Sequence, residues 1–269
     1  MKINNFTAFI FSFVIFSSFT NFTFAQKKTE PNAQQLADKL SNPVSNLISV
    51  PFQNNTVWGI GPNNGSQNIL NFQPVVPITI SKGLTMINRL VMPIIAQFNV
   101  TGIGQSQNAL GDIQYSMFFA PKSNFIWGIG PIFNLPTATN TLTGSGKFSV
   151  GPTGVFLYQK NGWTAGALLN QIWSVGGDPD RGNQTQGYLQ PFLSHSWKSG
   201  GGVSVTGEIT QNWKVKRTQT YINVMFQGLT KLGKFPVQLV VGPRIPVTAL
   251  PNLKGYFGVR AAMVLVFSK

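Results

Sequence analysis

The sequence predicts an all-β protein, a single antiparallel transmembrane β-barrel of about twelve strands preceded by a short helix. Three observations predict it: apolar and polar residues alternate along much of the chain, connections between strands are alternately short and long, and no segment after the N-terminus has 18 uninterrupted apolar residues. A period of two with one polar face is typical of strands. Alternating short and long connections are typical of outer-membrane barrels. The chain is therefore expected to cross a membrane with strands rather than helices.

Composition excludes several other classes. The chain has 269 residues, 42% hydrophobic and 10% charged, and no cysteine. Without cysteine there is no disulfide framework, no cysteine metal site and no lipidated N-terminal cysteine. The net charge of +14 comes from cations scattered along the chain, whereas nucleic-acid proteins cluster them on one face. We therefore expect outer-membrane lipids and no nucleic acid as partners, and the sequence leaves the oligomeric state open.

Residues 1–25 have the pattern of a cleaved signal peptide. Lys2 supplies the positive start, Phe6–Phe24 is largely apolar, and Ala25 fits the small-residue rule for cleavage before Gln26. An uncleaved membrane anchor is the alternative. The predicted destination is the outer membrane of a Gram-negative bacterium.

Residues 26–46 form a polar segment in which a short amphipathic helix is expected. Pro31 suits the first position of a helix, and apolar residues recur at helical spacing at Leu36, Leu40, Val44 and Leu47, with a break at Asn42-Pro43. Such a helix could lie on the membrane, plug a pore or lead into the first strand. The simple lead-in is the interpretation we adopt from sequence.

The barrel is predicted to span residues 47–269. Its twelve segments lie near 47–58, 68–80, 84–97, 109–120, 124–135, 147–159, 163–175, 186–197, 202–213, 218–229, 235–245 and 255–267. Alternation is clearest around Val205 and Thr206. Val205 is assigned to the lipid face and Thr206 to the lumen. Arg89 and Gln171 interrupt apolar runs, and the sequence explains neither. The last segment is expected to pair with the first, since lipid offers no partner to an open edge.

The lengths of the connections and the positions of the tryptophans predict how this barrel is oriented in the membrane. Short turns carry lysines such as Lys82, Lys122 and Lys160, and longer connections such as 136–146 and 176–185 lie between them. An even number of strands places both termini on the short-turn side, which would be the periplasm. All six tryptophans fall near predicted strand ends, as two interfacial aromatic girdles require: Trp58, Trp173 and Trp213 at the long loops, Trp127, Trp163 and Trp197 at the short turns.

Enzyme chemistry is poorly represented, and we expect no catalytic, cofactor or metal site. His195 is the only histidine, so multi-histidine metal sites are excluded. In a strand, Ser194 and Ser196 would point away from His195, which is assigned to lipid near the interface. Asp178 and Asp180 could bind Ca²⁺, but two carboxylates do not define such a site, and a solvated loop is the interpretation we adopt.

Ionisable residues predicted to face the lumen are the candidates for lining a pore: Arg89, Asp112, Glu208, Arg244 and Arg260. Charged groups at membrane depth usually face the interior and pair with one another. Structural pairing in a filled lumen and charge selectivity in an open pore both remain open at this point.

Several stretches resemble a known family. They are GIGPIFNLPTAT, GSGKFSVGPTGVFLY, NGWTAGALLNQIWSVGGD, LQPFLSHSW and, near the N-terminus, NPVSNLISVPFQNN. The chain resembles, over roughly residues 42–267, the bacterial family named for the MetA pathway of phenol degradation, whose members are also described as outer-membrane transporters. The resemblance implies a barrel for passage of small organic solutes, aromatic ones included. The alternatives are a non-conducting structural or adhesive barrel and, third, a membrane hydrolase built on His195.

Overall fold

The computed structural model describes residues 33–123, 125–233, 235–249 and 253–267. The predicted signal peptide lies outside these residues. Helix α1 spans Ala33–Leu40. The strands are β1 Ile48–Ile60, β2 Gly65–Phe72, β3 Val75–Ser81, β4 Leu84–Phe98, β5 Ser106–Leu110, β6 Ile113–Pro121, β7 Ile126–Leu135, β8 Lys147–Lys160, β9 Trp163–Gly177, β10 Thr185–Ser196, β11 Gly202–Asn212, β12 Arg217–Leu232, β13 Phe235–Thr248 and β14 Phe257–Phe267.

These segments form a closed antiparallel barrel of twelve strands, as predicted. β2 and β3 are two halves of one barrel strand, interrupted at Gln73-Pro74, and β5 and β6 are halves of another, interrupted at Gly111-Asp112. β4 pairs with both halves on each side. β14 closes the barrel on β1, in register from Ile48 opposite Phe267 to Trp58 opposite Phe257, so every backbone edge has a partner.

The connections follow the predicted alternation. The turn between β8 and β9 is Asn161-Gly162, with φ of 51° and 81°, the two left-handed residues that a two-residue type I′ hairpin requires. At the other end of the same strands lie the longer connections 136–146 and 178–184. Both ends of each hairpin are thus set by local turn chemistry.

Glycine-proline dipeptides interrupt the strand ladders inside the barrel wall. Gly130, Gly151 and Gly242 each precede a proline, and a methyl group on each would overlap a backbone carbonyl oxygen of the neighbouring strand. Residue pairing lapses beside each dipeptide, since proline has no N–H to donate. The two WGIGP copies differ: Trp127–Pro131 lies within β7, whereas Trp58–Pro62 ends β1 in a bulge and turn with Gly59 and Gly61 at positive φ.

The outward face carries the aromatic belt. All six tryptophans are between 36% and 54% exposed and lie near strand ends, as expected of interfacial girdles. Gln171, unexplained by sequence, is on this face, where its Oε1 accepts a hydrogen bond of 2.9 Å from the Trp213 indole N–H. A polar side chain facing lipid is tolerated there because its acceptor is used.

The segment before β1 enters the lumen, which corrects the expectation of a simple lead-in. Val44 is buried against inward-facing apolar side chains: Ile87, Phe118, Val155, Leu157 and Leu168. α1 is tied to strand ends by two hydrogen bonds, from Gln34 Nε2 to the Ser196 carbonyl (2.8 Å) and from Gln159 Nε2 to the Asp38 carbonyl (2.7 Å). Sequence placed the helix correctly but not its docking, because helical spacing does not identify the surface that an apolar stripe covers.

Candidate functional site: the charged lumen

The centre of the lumen is an ion-pair cluster built by neighbouring strands. Register puts Asn223 of β12 opposite Arg244 of β13, and Arg260 of β14 opposite both Gly242 of β13 and Asn55 of β1. Cross-strand neighbours lie within reach of long side chains. Polar residues that are far apart in sequence therefore meet at one level of the barrel.

Glu208 of β11 bridges the two arginines of this cluster. Its Oε2 lies 2.7 Å from Arg244 Nη1 and its Oε1 lies 2.7 Å from Arg260 Nη2, with none of the three side chains more than 13% exposed. Each arginine also donates to an amide oxygen: Arg244 Nη1 to Asn223 Oδ1 at 2.9 Å, and Arg260 Nε to Asn55 Oδ1 at 2.6 Å.

An aromatic ring completes the environment of Arg244. Its guanidinium carbon lies 3.8 Å from the centroid of the Tyr221 ring, a cation–π distance. The cluster thus holds two positive charges and one negative charge, each with hydrogen-bonding partners, as buried charges require.

Arg89 stands apart from this cluster. Its only hydrogen bond among the described residues runs from Nη2 to Gln73 Oε1 at 3.0 Å, and it has no ion pair there. A guanidinium carries five N–H donors. Most donors of Arg89 are therefore without an acceptor in the part of the chain that the structure describes.

Asp112, also a candidate from sequence, organises the rim. It lies at the break between β5 and β6, where its carboxylate accepts hydrogen bonds from the backbone N–H of Ala138 (3.2 Å) and Ser145 (2.7 Å) and from the Ser145 hydroxyl. Arg181 donates to the carbonyl of Gly144 in the same connection, at 2.7 Å. The carboxylate thus holds a long loop instead of joining the arginines.

A cavity of about 270 Å³ lies between the N-terminal segment and the barrel wall. Its lining includes Arg89, Gln73 and Lys39, with apolar side chains from several strands. No carboxylate is among the residues that line it. The cavity is therefore positively charged and partly apolar.

The remaining sequence candidates do not assemble a reactive site. The His195 ring lies 4.5 Å from that of Trp163 and 6.4 Å from that of Trp197, both on the outward face, whereas Ser194 and Ser196 are buried on the other face of the strand. Asp178 and Asp180 form a tight turn in which Asp178 Oδ1 accepts the Asp180 N–H at 2.9 Å. In the described part of the chain no group of three or more potential metal ligands occurs.

None of the helices in the described part of the chain has the length and apolar character needed to cross a membrane. Comparison with solved structures bears on the barrel. An outer membrane channel from Pseudomonas putida F1 superimposes with a TM-score of 0.64 at 14% identity, over 82% of this chain and 94% of that one. This chain has the fold of an outer-membrane barrel.

Other comparisons add less. The beta domain of the Bordetella autotransporter Brka aligns with a TM-score of 0.45 at 12% identity, over 82% of this chain and 98% of that one. No family model and no curated protein matches the chain. The resemblance to the phenol-degradation family therefore stays a prediction in its finer detail.

Sequence reasoning found the charges of the lumen but missed their partners. Asn55, Tyr221 and Asn223 complete the central cluster, and Gln73 holds Arg89. Each occupies a polar position of the inward parity, so alternation carried a signal for it. Which inward residue meets which depends on register, which one sequence does not supply.

Proposed function

We propose that this protein is an outer-membrane channel for small organic solutes, aromatic ones included. The observation that carries the proposal is the lumen, which holds charged groups and a cavity in place of a continuous apolar core. The fold shared with a channel of Pseudomonas putida F1 agrees with this assignment.

The N-terminal segment bears directly on passage. Val44 and the apolar side chains around it occupy the lumen, and α1 is tied to strand ends by hydrogen bonds to Ser196 and from Gln159. A solute passing through must find space beside this segment or displace it. Loosening the segment should therefore increase conductance.

Planar-bilayer recording of the purified full chain tests the proposal. Wild type should conduct, and Val44→Asn, which places an amide among buried apolar side chains, should raise the open probability. Leu142→Asn, at an exposed loop position, is the matched control and should behave like wild type. Absence of conductance from all three proteins would refute the channel.

The alternative of a structural or adhesive barrel has one observation in its favour. Ile103 and Tyr256, in the long connections, are 85% and 82% exposed, and exposed apolar side chains at loop tips are suited to contact with other surfaces. A folded but non-conducting protein would favour this alternative. Liposome-swelling rates with aromatic alcohols and with sugars of similar size would test the preference for aromatic solutes.

A further inference from the structure

The cavity beside Arg89 is lined by a cation and by residues whose hydrogen-bond donors have no acceptor among the described residues. Ser194 lines it and is only 5% exposed, yet its hydroxyl has no hydrogen-bond partner among the described residues. Gln227 lines it too, and its buried amide nitrogen likewise has no acceptor. Buried polar groups are nearly always paired. Three residues that line one cavity thus carry donors without an acceptor among the described residues.

Among the described residues, no carboxylate forms a salt bridge with Arg89. The carboxylate of Glu208 is occupied by Arg244 and Arg260, each at 2.7 Å. Lys39 of α1 adds a second positive charge to the lining. A cationic ligand is therefore disfavoured, and a neutral ligand would leave the guanidinium unmatched.

The rest of the lining mixes hydroxyl and amide side chains with apolar ones, and the apolar ones define the other half of a ligand. Leu47, Val75, Leu168, Phe192 and Val264 contribute to it. At about 270 Å³, the cavity lies just below the ~300–1,000 Å³ typical of small-molecule sites. The ligand must be small and combine an anionic group with a compact hydrocarbon body.

We propose that this cavity binds small organic monocarboxylates, with the carboxylate on Arg89 and the hydrocarbon body against Val75, Leu168 and Phe192. The planar fork of a guanidinium matches a carboxylate with two parallel hydrogen bonds. The inference rests on the proposed channel and names the solute class that its lumen selects.

Calorimetric titration of the purified full chain in detergent tests the site, with benzoate as the probe. Benzoate should bind, whereas benzamide, of the same shape but uncharged, and inorganic phosphate, charged but without a hydrocarbon body, should not. Arg89→Gln should weaken benzoate binding about 10- to 100-fold through loss of the charge-assisted hydrogen bonds. Lys160→Gln, which removes an exposed cation from a turn, should leave it unchanged.

Equal binding of benzoate and benzamide, or an unchanged affinity in Arg89→Gln, would overturn the site. If Arg89→Gln does not assemble, the three wild-type titrations still decide. Conductance recorded on the same preparation separates the two proposals. A conducting protein that does not bind benzoate loses the site and keeps the channel, and a benzoate-binding protein that never conducts does the reverse.

Discussion

At the scale of single residues, the central ion-pair cluster is where the most interaction free energy depends on the fewest side chains. One carboxylate, that of Glu208, serves Arg244 and Arg260 at once. Desolvating charges is costly, and the cost is met only while all members keep their partners. Removing the shared member should hurt more than removing either arginine.

We expect Glu208→Gln to destabilise the barrel by about 3–5 kcal/mol, because two buried guanidinium groups lose their counter-charge. Heat-modified migration on gels, with urea titration of the folded band, measures the loss. Asp180→Asn, in an exposed turn, is the control. A Glu208→Gln protein as stable as that control would show that the lumen is wet enough to hydrate both arginines.

The close approach of neighbouring strand backbones at the glycine-proline dipeptides leads to a second prediction at the scale of residues. Gly151→Ala should impair folding, because the added methyl group would overlap the Gln171 carbonyl oxygen of the neighbouring strand. Gly176→Ala is the matched control, since nothing lies within 4 Å of a methyl group there. Yields of refolded barrel should separate the two, and equal yields would contradict the close approach.

At the scale of elements, the docking of α1 depends on a titratable group. Asp38 has a buried carboxylate oxygen without a hydrogen-bond partner. Burial raises its pKa above the ordinary 3.8, and Ser196 and His195 oppose that rise only in part. A raised carboxyl pKa means that docking is favoured in acid and is weakened as the pH rises through the folded-state pKa.

We therefore expect Asp38→Asn to dock the helix more firmly at pH 7, with the advantage shrinking as the pH falls through the raised pKa of Asp38 and lost below 3.8. Ala37→Cys supplies a reporter, since Ala37 is 0% exposed and the chain has no other cysteine. Its reaction rate with dithiodipyridine, compared between the two backgrounds at each pH, measures undocking. Equal rates at pH 7 would mean that the carboxylate is hydrated in place.

The outward face of the strands is another element-scale property. Val205 and Val224 lie directly opposite each other on β11 and β12. Val205→Arg or Val224→Arg should impair assembly, since arginine at the midplane of a barrel's lipid face costs ~2–4 kcal/mol. Ser204→Arg, which points into the cavity, should assemble better. Equal folded yields in lipid vesicles would contradict the assignment of faces.

At the scale of the whole molecule, the alternation of short and long connections fixes an orientation. Thr141 and Asn183 lie in long connections at one end, and Lys160 lies at a short turn at the other. Tags inserted at Thr141 and Asn183 should be open to protease on intact cells, and a tag after Lys160 should be protected. The reverse pattern would invert the barrel in the membrane.

The sequence by itself determined the strands, their number and their two faces. Period-two alternation and turn residues such as Asn161-Gly162 are local properties, so they can be read along the chain. The breaks at Gln73-Pro74 and Gly111-Asp112 were not predicted. β4 pairs with both halves of each interrupted strand, so each remains one strand of the barrel and its sequence pattern does not show the break.

Only the tertiary structure decided what the lumen contains. Arg260 meets Asn55, 205 positions away in sequence, because barrel closure makes the last strand a neighbour of the first. Asp112, predicted among the lumen charges, binds a loop instead, and Val44, predicted in a lead-in, lies in the lumen. Side-chain direction follows from local periodicity, whereas partnership follows from register and closure, which the whole chain settles together.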